Sequence, residues 1–551
     1  MKRVRSFLLL SSIPEEKLLY WQRCCLFIAV AMIPLVGPPV LTKYLAPLFF
    51  YGQPASVPIL VGLFLAAIMV IREGNARKVL FPILCFSSIY LILIAAISIH
   101  SIANFDGWRP DVFGASMRVD AIKALLLQMG IEESWAYRGI VFVKDLRNGV
   151  HETVFILCFV LWIGLLYKRN SKKIFTLIQN AIIVDFFLLG LYCSIEVIHL
   201  YGVNWATSFL KAVNPSFYVP GGALGWYPPI VSATQIRGIW TEPAYFAIWL
   251  AFASPFLFHR LFNWQSTKGT VISSICQVGV LFSLFSIWFM TYSRTSIWLM
   301  LVMGALYFIA MFLFWNSFRR IRLQVTKILG SCLLAFMVVS NFGPADISNW
   351  NSSSLNAREQ LTHTVSSQLS SNTVRSSFDP MSRSTPSRLQ FWIARVEIFK
   401  DSPIFGVGDS LEPWYDVKKY HEFWGDEITS ELKWRSSWAK KNGLLNAGFG
   451  GNNLLLWSML ACRGIIGTLV FAIPLLCVFY FLARITYLQK DRDKHPEALC
   501  ILVSVFASSP SALTQGLWFF DIWPAIGLAI GYVYLNKELL LFGKRYEQRH
   551  D

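Results

Sequence analysis

Residues whose types and spacing can do chemistry fall in four short stretches of this 551-residue chain. The first is Arg237-Gly238-Ile239-Trp240-Thr241-Glu242-Pro243-Ala244-Tyr245-Phe246, at the start of an apolar run. Pro243 suits a first helical turn, and Thr241 or Glu242 can cap it. One reading is interfacial anchoring plus a helix cap. The other is a site pair, with Arg237 for an anionic group and Glu242 to orient it or to take a proton. Tyr245 joins Arg237 as a candidate substrate contact. The second stretch is Thr291-Tyr292-Ser293-Arg294-Thr295-Ser296, a very short turn between two apolar runs. A lone arginine there can snorkel, but with hydroxyls around it and a helix N-terminus following it can also cradle a phosphate.

The third stretch runs from Ser387 to Pro403. Ser387 with Gln390 fits a capping box, and Pro403 marks the stop. Leu389, Trp392, Ile393, Val396 and Phe399 recur at helical spacing, with Arg388 and Arg395 along the stripe's edge. Such a helix can lie on a membrane with two guanidiniums aimed at headgroups, or pack on the loop's own core with solvated arginines. Gly406-Val407-Gly408 follows as a turn and lacks the GxGxxG of a nucleotide site. The fourth stretch is Gly450-Gly451-Asn452-Asn453, leading into Cys462-Arg463-Gly464-Ile465-Ile466-Gly467. Asn452 or Asn453 caps the incoming helix. Arg463 is a charge inside an apolar run and so a functional candidate; Asp185 and Glu196 share that status, either as partners of a buried arginine or as parts of a site.

The elements that position these stretches follow from composition. The chain is 55% apolar, 15% aromatic and only 15% charged, with a mean hydropathy of +0.50. Soluble domains carry roughly 25% charged residues, so a soluble enzyme, a disordered chain and a fibrous repeat are excluded. Several apolar runs reach the roughly 20 residues that cross a bilayer as helix. They lie near 24–41, 57–71, 79–100, 151–167, 174–200, 243–262, 270–292, 296–315, 325–343, 452–484, 499–515 and 517–536. The expected fold is an all-α polytopic membrane protein of about twelve transmembrane helices.

Sidedness follows from lysine and arginine in the short connections. With the basic N-terminus cytoplasmic and no cleavage site after it, Arg72, Arg77 and Lys78 fall inside. So do Lys168, Arg169, Lys172 and Lys173, the loops around Arg260, Arg319 and Arg484, and the C-terminal tail. Both termini are then cytoplasmic. Three polar segments, about 101–150, 203–241 and 344–451, fall outside, the last between the ninth and tenth helices. The organisation expected is helices 1–9 over 1–343, a large extracytoplasmic loop over 344–451, and helices 10–12 with a tail over 452–551. The net charge of +17 is accounted for by these topological cations, not by nucleic acid. The ten cysteines fall in or beside apolar runs without disulfide or zinc spacing.

Taken in order and by side, the four stretches resemble the O-antigen polymerase and O-antigen ligase family of bacterial envelope enzymes. An Arg-containing segment precedes a middle span, and a Ser-Arg-Thr-Ser turn follows. A large outer loop then carries Arg388, Trp392, Ile393-Ala394, Pro403, Gly406 and Gly408, and a polar-capped helix carries Gly464 and Gly467. The resemblance covers roughly 230–470 at motif level. Family ligases carry a His-Asn pair where this chain has Asn452-Asn453, which points to the polymerase branch. Other candidate bases are Asp409, His421, Glu422 and His363.

The resemblance implies glycosyl transfer between two undecaprenyl-diphosphate-linked oligosaccharides, at the periplasmic or outer face of the bacterial cytoplasmic membrane. A diphosphate leaves readily, so the enzyme needs cations to hold it and a proton acceptor for the attacking hydroxyl. Guanidiniums can hold it without a metal, and no cofactor is expected. The roles implied are Arg237, Arg294 and Arg388 on phosphates, Arg395 in support and Glu242 as base or orienter. Tyr245, Asn452, Asn453 and Arg463 complete the candidate substrate contacts. A chain-length regulator is a typical partner of the family. The competing readings are a ligase that moves finished glycan to an acceptor, a lipid-linked oligosaccharide flippase, and an assembly protein without catalysis. The flippase reading lacks the two related halves that transporters usually show.

Overall fold

The computed structural model describes residues 13–35, 38, 53–108, 117–217, 231–232, 235–240, 242–263, 270–313, 319–343, 385–424, 443, 455–488, 497–510 and 520–542. Among these the chain is all-helical and contains no strand. The helices are α1 (Glu15–Ala31), α2 (Ser56–Arg72), α3 (Ala76–Asn104), α4 (Met117–Gln128), α5 (Glu133–Glu152), α6 (Phe159–Arg169), α7 (Ser171–Leu200), α8 (Asn204–Val213) and α9 (Pro243–Asn263). They continue with α10 (Thr270–Phe289), α11 (Arg294–Leu313), α12 (Arg319–Phe342), α13 (Thr385–Asp401), α14 (Glu412–Trp424), α15 (Leu455–Leu488), α16 (Glu497–Ser508), α17 (Trp523–Leu535) and α18 (Lys537–Phe542). Eight helical stretches among the described residues are long and apolar enough to cross a membrane. Ser56–Arg72, Glu497–Ser508 and Trp523–Leu535 are shorter apolar helices.

Two boundaries differ from the sequence expectation for clear reasons. The first apolar helix spans Glu15–Ala31 instead of 24–41. Pro34 has no N–H to donate and disfavours helical backbone at Ile33, so the helix closes in a turn after Ala31. The fourth runs unbroken from Glu133 to Arg169, through a π-helical stretch at Thr153–Cys158. Its first part falls in the expected polar segment because it carries Lys144, Asp145 and Arg147, yet Asp145 is buried within the protein, as is Glu152 at the edge of the apolar run.

In lipid, helices gain little from apolar contact alone, so close packing and polar contacts decide how they associate. The tightest interface joins α6 to α17. A Cβ on Gly527 would stand 2.7 Å from Ile163 Cβ, and one on Gly531 would stand 2.7 Å from the Tyr167 ring. Glycine at these two places is what lets the backbones meet. Helix α9 is the most enclosed span: Trp249, Phe252 and Phe256 sit in the main core, with α16 packed alongside. Between α12 and α15 come α13 and α14. There α13 packs on both α14 and α15.

Candidate functional site

Helix α13 is described over Thr385–Asp401, so the expected cap Ser387 lies inside the helix. It ends at Asp401, as Pro403 requires. Its buried face is Phe391, Ala394, Arg395 and Ile398, at spacing i, i+3, i+4, i+7, while Trp392 is exposed. The helix therefore packs on its own neighbours, and Arg395 points inward instead of toward headgroups. The Arg395 Nε and Nη2 donate to the two Asp416 oxygens, both at 2.8 Å, and Nη1 donates to Ser458 Oγ at 2.6 Å. Glu412 pairs with the same guanidinium. One residue thus ties α13 to α14 and α15. Burial opposes its charge most, but Asp416 together with Cys462 and Tyr420 outweighs that and holds the proton more firmly than in a free arginine.

After α13 the chain turns onto a break in α15. Gly464 has φ of 60° and interrupts the helix, which frees backbone groups on both sides. The turn uses them. Val407 N donates to Ala461 O at 2.9 Å, Gly408 N to Cys462 O at 2.8 Å, and Ile465 N to Pro403 O at 2.8 Å. The approach is so close that a Cβ on Gly406 would lie 2.3 Å from the Cys462 carbonyl carbon, and one on Gly464 would lie 2.2 Å from Ile404 O. This is the physical reason for the Pro-x-x-Gly-x-Gly pattern and the glycine after Arg463.

Arg463 closes the joint. Its Nη1 donates to Tyr90 Oη at 2.8 Å and Glu152 Oε2 at 2.9 Å. Its Nη2 donates to Glu152 Oε1 and Asp409 Oδ2, each at 2.6 Å, and Nε donates to Asp409 Oδ1 at 3.1 Å. Tyr90 in turn donates to Glu152. The Arg463 side chain is 3% exposed, whereas Asp409 keeps 20%. Next to it Asp145 accepts from Ser98 Oγ at 2.8 Å and from Ser410 N at 3.0 Å. The His100 ring lies 3.3 Å from Ser402 Oγ. Three carboxylates, three serines, a histidine and a tyrosine thus bind the turn to α3 and α5, beside the π-helical stretch. Such one-turn irregularities frequently mark functional sites.

A second assembly gathers the first two sequence stretches. Ile236 N donates to Met290 O at 3.0 Å, so the Arg237 segment lies against the turn before α11. Gly238 turns at φ of 59°, and its amide donates to Glu196 Oε2 at 2.9 Å, beside the buried Arg237. Trp240 stacks on Phe246 with centroids 5.2 Å apart. In the turn, Thr291 Oγ1 and Ser296 Oγ both donate to Trp288 O, at 2.7 and 3.0 Å. Tyr292 takes φ of 45°, the one non-glycine residue with positive φ among those described. Its buried hydroxyl has no hydrogen-bond partner among the described residues. Burial, then Tyr201, push that phenol up to about 12, so it is a protonated donor at neutral pH.

The sequence candidates therefore separate. Arg237 and the Arg294 turn come together, as do the α13 stretch and Arg463. Arg294 opens α11 and Arg388 lies in the first turn of α13, but the side chains of both, with Asn452 and Asn453, lie outside the described residues. Glu242 is exposed, and its carbonyl accepts from Tyr245 N at 3.2 Å. Arg395 and Arg463, read from sequence as substrate contacts, are instead enclosed by carboxylates. The reason is electrostatic, because a buried guanidinium needs compensation and these two find it within the protein. Sequence reasoning missed Tyr90, Asp145 and Glu152. A carboxylate at the edge of an apolar run, as at Glu152, was the available signal. Among the described residues no group of three or more His, Cys, Asp or Glu is placed to hold a metal ion.

Residues 279–472 match the family model described as O-antigen ligase. The match supports an O-antigen polymerase/ligase family for this chain. It takes in the Arg294 turn, α13, the Gly406 turn and Arg463, while the Arg237–Phe246 stretch precedes it. No curated protein matches the chain, and no solved structure does.

Proposed function

We propose that this chain is a polysaccharide polymerase that joins undecaprenyl-diphosphate-linked repeat units at the outer face of the bacterial cytoplasmic membrane. The observation that carries this reading is the family match over 279–472. Asn452-Asn453 in place of a His-Asn pair favours the polymerase branch. In this reading the eight long spans, α1 and the three shorter apolar helices make twelve crossings, with both termini inside and 344–451 outside.

A hydroxyl of the acceptor sugar attacks the anomeric carbon of the donor glycan. The new C–O bond forms as the bond to the diphosphate breaks. The hydroxyl proton passes to Glu242 or Asp409, and the diphosphate leaves with its charge held by guanidiniums. Arg237, Arg294 and Arg388 are the cations proposed for that charge, with Tyr245, Tyr292, Asn452 and Asn453 as further donors. Arg395 and Arg463 act one step back. They hold α13 and its turn in register with α15, and so fix where Arg388 and Asp409 stand.

The family match also favours a second reading, transfer of finished glycan to an acceptor by a ligase. Glycan from a deletion strain separates the readings. Loss of a polymerase leaves single repeat units on the acceptor, loss of a ligase strands long glycan on undecaprenyl diphosphate, and loss of a flippase traps units on the inner leaflet. Arg294→Ala should abolish chain extension while the protein still inserts. Long glycan made by that variant would refute the assignment.

A further inference from the structure

The cleft at the opposite end of the bundle carries an inference independent of the glycan chemistry. It lies between α1, α2, α3, α6 and α17 and encloses about 670 Å³, within the range of roughly 300–1,000 Å³ typical of ligand sites. Its walls are apolar, built by Met69, Val79, Pro82, Leu161, Leu165 and Ile530. Gln22, a buried polar residue of its lining, is satisfied at both ends. Gln22 Oε1 accepts from Trp162 Nε1 at 3.0 Å, and its Nε2 donates to Met69 Sδ at 3.2 Å. The interior therefore suits an alkyl chain and offers little to a polar ligand.

The rim has the opposite character. Arg169 is compensated by Glu15 at 3.2 Å and by Glu73. Lys168 on the rim is not, nor is Lys537, which reaches the rim's Tyr534 from α18, among the described residues. Lys168 Nζ sits 4.3 Å and Lys537 Nζ 4.9 Å from the centroid of one ring, that of exposed Tyr534. Lys168 also donates to the Tyr534 hydroxyl at 3.0 Å. Lys78 lines the same rim. None of these three lysines has a carboxylate partner among the described residues. Two ammoniums on one aromatic ring, with no carboxylate partner among the described residues, make this part of the rim attractive to an anion.

We propose that this cleft binds one acidic phospholipid, its acyl chain between α3 and α6 and its phosphate between Lys78, Lys168 and Lys537. The loops at this end carry Arg72, Arg77, Lys78, Lys168, Arg169, Lys172 and Lys173, which places the site in the cytoplasmic leaflet. A soluble anion would have no use for the apolar cleft, and a zwitterionic lipid would bring a second cation to a rim already rich in them.

The test is native mass spectrometry of the full chain in neutral detergent, with added phosphatidylglycerol or phosphatidylcholine. Phosphatidylglycerol should be retained and phosphatidylcholine lost. Combining Lys78→Gln, Lys168→Gln and Lys537→Gln should weaken retention by well over tenfold, roughly fivefold per charge, while Lys211→Gln at the far end changes nothing. Ala66→Phe, which fills the cleft and keeps every lysine, should abolish retention by a separate route. Equal retention of the two lipids overturns the proposal. So does unchanged phosphatidylglycerol binding in the triple lysine variant or in Ala66→Phe.

Discussion

The joint at Arg463 and the turn at Tyr292 solve opposite problems. At the joint, a guanidinium, two carboxylates and a tyrosine hydroxyl satisfy one another, and backbone pairs with backbone across Gly406 and Gly464. At the turn, a tyrosine holds left-handed backbone and its buried hydroxyl has no partner among the described residues. Saturated polar networks rigidify and specify a structure. Strain and an unmet donor persist only where surrounding structure enforces them, and they cluster at working sites. On the proposed function, the joint positions and the turn contacts substrate.

The largest effect should come from breaking the joint. Arg463→Met leaves Glu152 and Asp409 facing each other without a cation, which should cost about 3–5 kcal/mol. Thermal unfolding of the detergent-solubilised protein checks this, and Arg463→Lys should restore little of it because one ammonium cannot pair with both carboxylates in the forked manner. Gly406→Ala comes next. It adds a Cβ 2.3 Å from backbone at a position with φ of 71°, so a loss of at least about 2 kcal/mol is expected in the same assay. Tyr292→Phe should behave in the reverse way. Removing a buried donor without a partner should leave stability unchanged or raise it by up to roughly 1 kcal/mol, while glycan extension in cells falls severalfold. If Tyr292→Phe extends glycan normally, the turn is strained for folding alone and the comparison fails. The smallest effect should be at Lys400→Gln, whose pair with Glu397 is on the surface. A change below about 0.5 kcal/mol is expected, and it sets the baseline for the others.

How much could be read in advance depended on the range of the interaction. The apolar runs were legible because hydropathy over some twenty residues is a local property, and each expected run corresponds to a described helix. Pro34 moved the end of the first helix, and it is visible as a single residue. The role of Arg463 was not legible, because its partners Glu152 and Tyr90 lie 311 and 373 positions away. The inward turn of Arg395 was hidden for the same reason. A stripe drawn through Leu389, Trp392 and Ile393 gave the wrong buried face, because α14 and α15 decide which side of α13 is covered.

Composition and loop charge, by themselves, determined that this is a helical membrane protein whose conspicuous arginines and glycines gather in a few stretches. Only the folded arrangement decided which arginines are already compensated. The cost of burying a charge depends on what stands within a few ångströms, and that neighbourhood exists only after distant helices have packed.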